Sequence, residues 1–338
     1  MKGFGSILQD YLEYHRITQT EFADRLGISN KHMNEIINGT TNLSPELMIA
    51  ISILTDIDIN TIFFVEHKKS VYDKLLKKYK SEKEIQKFLN SFHLNEMQKK
   101  KWITLRDSTS VAQNAIDLLN FLELKDFEVY DNYIEKRIIY KKLDYADQKK
   151  IYLWLRHCDK LIADVQVTKY SSNRLNDLFD DLKKERMKPF NKERIIQILS
   201  QYGIILCIED ALGGSKIRGC TMVKHKTPVI YLTTYFKEKS SFYFTLYHEL
   251  GHIKTHYNRL INKIVEFDNE EKEADAFSLN QMIPRKIWDI INECYDERER
   301  ICLENNIPLC FLYSRLAYEK KISYSSKEYN EHIEKINI

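Results

Sequence analysis

Hydrophobic and polar positions divide the chain into three zones. Over residues 1–67, short apolar clusters at helical spacing alternate with turn-forming residues, which predicts a small all-α domain. From 68 to about 185 the chain is charged and helical in pattern. Ala112, Ile116, Leu119 and Leu122 make one apolar stripe, and Ile151, Trp154, Leu155 and Cys158 make another. From about 190 the period changes. Ile204–Ile208 and Pro228–Leu232 are short apolar, β-branched runs that predict strands, with Ile217–Val223 as a third between them. Gly213-Gly214 and His225-Lys226-Thr227 read as turns between these strands, and the glycine pair does not match a phosphate-cradling loop. A long helix then starts near Ser240 or Ser241, with Leu246, Leu250, Ile253 and Tyr257 on its apolar side. The expectation is a multidomain, mainly α protein. It has an all-α domain at 1–67, a helical middle region at 68–185, and an α+β domain at 186–338.

Composition narrows this picture. Among 338 residues, only 9 Gly and 5 Pro argue against a turn-rich β architecture. The start, MKGFGSILQDYLEY, lacks the apolar core of a signal peptide. The best candidate for a membrane span, Leu47–Val65, contains Asp56 and Asp58. The six cysteines are scattered without a C-x-x-C pair and read as reduced, packed thiols. A cytoplasmic protein with no membrane partner is expected.

Net charge is +3, but it is unevenly spread. Residues 1–67 carry four Lys/Arg against nine Asp/Glu, whereas residues 68–101 carry eleven Lys against four acids.

The segment His248-Glu249-Leu250-Gly251-His252 fits H-E-x-x-H. Spacing of i, i+4 puts both histidines on one helix face, one turn apart, so both imidazoles can hold one ion. Zn2+ suits two imidazoles plus a carboxylate and leaves a fourth position for water. Glu249 sits beside the pair, where a general base can take a proton from that water. An acidic cluster follows at Glu270, Glu271, Glu273 and Asp275. Glu271 and Asp275 lie one turn apart, so one can ligate while the other hydrogen-bonds a ligand histidine. Glu270 and Glu273 are rivals for the ligand role. His256 continues the same face but reads as a flanking residue. The third histidine of a metzincin would fall at Asn258.

Ser241-FYFTLYHELGHIKTH, Glu271-KEADAF, Met282-Ile283-Pro284 and Asn306-IPLCFLYSRL together resemble the ImmA/IrrE family of metallopeptidases. The resemblance covers roughly 190–325. It implies a zincin-like fold: a small twisted sheet, the H-E-x-x-H helix and a second helix that delivers the glutamate. It also implies that the ligand is the first Glu of an E-x-x-x-[DN] unit. Here that is Glu271, with Asp275 in support where relatives often carry Asn.

Residues 18–46 resemble the XRE-type helix-turn-helix, closest to the HigA-like branch. The resemblance places the first helix at Gln19–Leu26, the turn at Gly27-Ile28, and Ser29 as cap of a recognition helix running to about Ile37. Phe22, Ala23, Leu26, Ile28, Met33 and Ile36 are the expected core. Asn30, Lys31 and Asn34 are expected to face the major groove, with Gln19 and Thr40–Asn42 near phosphates.

Phosphate neutralisation dominates DNA affinity, and an acidic domain supplies it poorly. Either the lysines of 68–101, with a homodimer adding more, provide the cations, or the fold binds a protein. The combined expectation is a cytoplasmic zinc metalloendopeptidase fused to a duplex-DNA-binding domain. The resemblance implies cleavage of a helix-turn-helix repressor in a stress or mobile-element response, and the chain itself is an alternative substrate. The competing reading is a non-proteolytic transcription regulator or antitoxin that uses the zincin fold as sensor or dimerisation module. A purely structural zinc site leaves Glu249 unexplained.

Overall fold

The computed structural model describes residues 3–130, 138–140, 145–261, 264–266 and 268–337. The chain forms two compact units, Met1–Val129 and Tyr130–Ile338. The boundary falls inside the expected middle region, whose halves pack into different units.

The first unit is all-helical. Helices α1 (Phe4–His15), α2 (Gln19–Leu26), α3 (Asn30–Ile37), α4 (Pro45–Thr55) and the start of α5 (Ile59–Tyr79) surround a core of Phe4, Leu8, Phe22, Met33, Ile51 and Ile62. Their starts are written locally. Thr18, Ser29 and Ser44 each accept a hydrogen bond from the backbone N–H three residues on, which satisfies a donor that the helix itself leaves free. Helices α2 and α3 coincide with the expected pair, and Ser29 accepts from His32 N at 3.1 Å. Phe22, Ala23, Met33 and Ile36 are buried, while Leu26 and Ile28 are partly buried against them.

The expected boundary at residue 67 cuts through α5. This helix carries Ile62 into the first core and Val71, Tyr72 and Leu75 into the packing that follows. There it meets α6 (Glu82–Asn90) and α8 (Val111–Leu122), with α7 (Leu94–Lys99) between them in sequence. Helix α8 was expected to be amphipathic, yet every residue from Val111 to Leu119 is buried, including Gln113, Asn114 and Asp117. Each of these side chains makes an internal hydrogen bond, and Asn114 Oδ1 is left without one among the described residues. Asp117 accepts from Arg106 N at 2.8 Å, Arg106 Nε at 2.7 Å and Gln113 Nε2 at 2.9 Å.

The second unit centres on a three-stranded sheet. Strands β2 (Ile205–Ile208), β3 (Gly219–Lys224) and β4 (Thr227–Leu232) are ordered β2-β4-β3, with β2 parallel and β3 antiparallel to β4. A parallel pair, β1 (Ile138–Tyr140) with β5 (Ile264–Glu266), forms a separate sheet. Helix α9 (Tyr145–Leu161), on the sequence pattern a middle element, lies against this sheet. Trp154 Nε1 donates to Glu209 O at 3.2 Å, its ring meets Tyr231, and Tyr231 Oη donates to Asp159 at 2.7 Å. Its stripe of Ile151, Trp154, Leu155 and Cys158 is buried as the pattern predicts.

Helices α10 (Leu175–Glu185), α11 (Lys192–Gln201), α12 (Lys239–His256), α13 (Asp268–Met282), α14 (Arg285–Glu293), α15 (Arg298–Glu304), α16 (Leu309–Tyr318) and α17 (Lys327–His332) complete the unit. Helix α12 runs through its core. Phe242, Leu246 and Leu250 are fully buried on one side, and Glu249 and His252 are buried as well. Each such apolar side chain contributes roughly 1.5–3 kcal/mol of transfer free energy. That anchors a helix whose remaining face is committed to polar groups. The C-terminal segment folds back on its start, where Lys239 N donates to Glu334 O at 2.9 Å and buried Lys239 Nζ donates to Glu334 Oε2 at 2.7 Å. Five of the six cysteines are buried, Cys294 is exposed, and all are free.

Candidate metal centre

The site forms where α13 crosses α12. Gly251 allows the close approach: a Cβ there would lie 3.0 Å from Phe277 Cδ1 and 3.3 Å from Ala274 Cα. With the two backbones this near, a glutamate on the first turn of α13 reaches both histidines of α12. Glu271 Oε2 lies 3.2 Å from His248 Nε2, and Glu271 Oε1 lies 3.1 Å from His252 Nε2. The two ring nitrogens are themselves 3.1 Å apart. One ligand atom from each of the three residues falls within 4.8 Å of the others.

The surrounding hydrogen bonds fix what these atoms offer. Asp275 Oδ1 lies 2.9 Å from His248 Nδ1 and accepts its proton, so that a cation displacing the Nε2 proton would meet a lone pair directed at the centre. His252 Nδ1 lies 3.1 Å from His256 Nδ1, and His256 Nε2 lies 3.1 Å from Glu273 Oε2. With the proton donated from His252 to His256, and from His256 to Glu273, the Nε2 of His252 is also a bare lone pair. Two lone pairs and a carboxylate then converge, a donor set that fits a divalent cation.

The same field acts on protons. Burial by itself lowers the pKa of His248, but hydrogen bonds to Asp275 and Glu271 outweigh it and raise the ring to about 10. Burial by itself raises Glu271, but hydrogen bonds from the two histidines outweigh it and lower the carboxyl to about 2.

Glu249 is 4 % exposed. Thr221 on β3 donates from Oγ1 to Glu249 Oε2 at 2.7 Å. Burial raises the Glu249 carboxyl above its ordinary value, opposed by the charges of His248 and His252. Gly219 keeps the strand close, since a Cβ there would lie 3.1 Å from Glu249 Oε1 and 2.6 Å from Leu232 Cδ2. The arrangement is a buried carboxylate oriented beside three side chains that could hold a cation, where a carboxylate can accept a proton.

The two rival glutamates are engaged elsewhere. Glu270 pairs with Arg259, and Glu273 pairs with His256. Two participants were not legible as such in the sequence. His256 had a signal, because it repeats the i, i+4 spacing from His252. Thr221 had none, since only the sheet register brings it to Glu249.

In the first unit, Gln19, Asn30, Lys31, Asn34 and Thr40 are all exposed. Asn34 Oδ1 accepts from Asn38 Nδ2 at 2.9 Å, and Thr40 Oγ1 donates to Glu35 O at 3.2 Å. Several lysines of 68–101 are used internally. Lys68 donates to Gln113, Lys69 to Gly39 O, and Lys74 pairs with Asp126 and Glu128. Lys77, Lys78, Lys80 and Lys83 remain exposed.

A family model described as Helix-turn-helix matches residues 8–62. The N-terminal part of the chain is therefore a helix-turn-helix domain, a type that places its second helix in the DNA major groove. No curated protein and no solved structure shows significant similarity to the chain. Among the described residues, no helix is long and apolar enough to cross a membrane.

Proposed function

We propose that the chain is a zinc metalloendopeptidase joined to a DNA-binding helix-turn-helix domain, and that it cuts a transcriptional repressor or itself. The observation that carries this reading is the convergence of His248, His252 and Glu271 next to buried Glu249. The resemblance of the same residues to the ImmA/IrrE family points the same way. Zinc, when bound, supplies a Lewis acid that acidifies water and polarises a peptide carbonyl. The chain's own residues do the rest. Glu249 takes the proton and returns it to the leaving amine. Thr221 holds the carboxylate by one oxygen, and Asp275 and His256 fix the tautomers of the ligand histidines. Strand β3 is at the edge of its sheet; Ile261 bridges its Val223, and the stretch before it, where Thr221 bonds Glu249, can pair with an extended peptide. Comparing cells that make the wild type with cells that make Glu249→Gln, by mapping new protein termini, tests the reading.

The His256–Glu273 pair gives a separate expectation. His256→Ala removes the acceptor that orients His252 while leaving all three ligands in place. Zinc affinity should fall by roughly 10- to 100-fold. Glu273→Ala should have a smaller effect, because that carboxylate is 63 % exposed. Competition against a chromophoric chelator measures both. An unchanged affinity for His256→Ala would show that His252 is held by packing alone.

The helix-turn-helix match and the exposure of Asn30, Lys31 and Asn34 support duplex DNA as a partner. The acidic balance of 1–67 predicts weak binding at physiological salt. Lys31→Ala and neutralisation of Lys77, Lys78, Lys80 and Lys83 should each weaken it and flatten the salt dependence. Removing one lysine–phosphate pairing should change the slope by about 1. The full chain should be used, because ending it at residue 67 would divide α5. Failure to bind any genomic fragment would favour a protein partner for this domain.

A further inference from the structure

A cavity of about 210 Å³ lies beside the candidate metal centre in the second unit. Its walls continue the two helices that build that centre. Ser241 and Phe244 come from the first turns of α12, and Leu279 and Met282 from the end of α13. Phe244 is one turn before His248, with ring centroids 6.5 Å apart. Leu279 is one turn after Asp275, which bonds His248. Arg218, the residue before β3, forms part of the rim. The cavity is thus one helical turn from the ligand histidine and adjoins the start of the strand whose Thr221 holds Glu249.

Its chemistry is asymmetric. The walls are mainly apolar and aromatic, with Ser240, Ser241 and Ser314 among them, and among the described residues no carboxylate lines it. Arg315, the second cation there, is already matched by Glu319 at 2.7 Å. At the mouth, Arg218, Tyr324 and Tyr329 are shared with a wider hollow that adds Lys216 and Lys237. The acid of that hollow, Glu238, is bonded by Tyr329 Oη at 2.6 Å. An apolar pocket under a cationic rim fits one kind of peptide.

We propose that this cavity is the specificity pocket of the site. It takes a large apolar or aromatic side chain of an extended peptide lying along β3, with an acidic side chain beside it facing Arg218. The proposal rests on reading the site as a peptidase. Size permits it, since apolar cavities of about 150 Å³ take up a benzene ring. A well-filled apolar pocket discriminates by roughly 10- to 200-fold for small changes in side-chain bulk.

The test uses the full chain carrying Glu249→Gln, loaded with zinc, on an array of short random peptides. Bound peptides should share Phe, Tyr, Leu or Met next to Asp or Glu. Leu279→Trp, which fills the cavity, should reduce binding of those peptides at least roughly tenfold. Ser241→Trp serves the same purpose should Leu279→Trp fail to fold. Arg218→Glu, at an exposed position, should keep the apolar anchor and move the preference from acidic to basic neighbours. A motif without an apolar anchor, a motif that none of these substitutions alters, or no bound peptide at all would overturn the proposal. The peptidase reading fails separately. If zinc-loaded wild type leaves the bound peptides uncut, the pocket stands as a peptide site and the hydrolytic assignment falls.

Discussion

His248→Ala, His252→Ala and Glu271→Ala should each yield protein that is purified without zinc, whereas Glu249→Gln should carry one zinc per chain. The three side chains face one another through contacts of 3.1 to 3.2 Å, and each supplies a lone pair or charge that its neighbours cannot replace. Deleting one leaves two donors for an ion that takes at least three from protein. The loss should therefore exceed the roughly 10- to 100-fold expected when only an outer partner such as His256 is removed. Glu249 bonds Thr221 and contributes no atom to the triad, so its amide should leave the metal in place. Metal analysis of the purified variants decides the matter. Glu273→Ala is the informative control, because Glu273 faces His256. A loaded Glu271→Ala beside an empty Glu273→Ala would show that the wrong glutamate has been assigned.

Glu249→Gln should abolish cleavage of one or very few proteins without changing the bulk proteome. Replacing a general base by its amide removes the proton acceptor and keeps the shape, which costs roughly 10²- to 10⁴-fold in rate. Selectivity is expected because an unrestricted peptidase would damage the cell that makes it. The helix-turn-helix domain offers a route to it. Bound at an operator, it would raise the peptidase's effective concentration next to a repressor seated there. Binding the repressor directly would serve as well. Mapping new protein termini in cells making the wild type or Glu249→Gln should reveal one dominant cleaved protein, either a helix-turn-helix repressor encoded nearby or this chain. Widespread cleavage would contradict selectivity. No difference under several stresses would favour the alternative, a non-proteolytic regulator.

The features legible in the sequence were those that fit within one or two helical turns. Helices α2 and α3 begin where Thr18 and Ser29 offer an oxygen to a backbone N–H three residues on, and α2 ends at Gly27, which takes the left-handed conformation. His248 and His252 share a face because 3.6 residues make a turn. The strands at 205–208 and 227–232 followed from short β-branched runs between turns. None of these depends on where the rest of the chain goes.

Tertiary structure decided what joins residues far apart. Spacing favoured Glu271, one turn before Asp275, and left Glu270 and Glu273 as rivals. The close crossing at Gly251 and Ala274 turned Glu271 toward the histidines, Glu270 toward Arg259 and Glu273 toward His256. Thr221 reaches Glu249 only because β3 pairs with β4 in one register. Helix α8 shows polar letters at Gln113, Asn114 and Asp117, yet it is buried because Arg106 and Ser108 fold over it with bonding partners. Lysines at 68, 69 and 74 read as free charge and are bound to groups 30 to 54 residues away. Local periodicity fixes which face a side chain occupies. Which neighbour covers that face depends on contacts distant in sequence, and one chain's letters do not specify them.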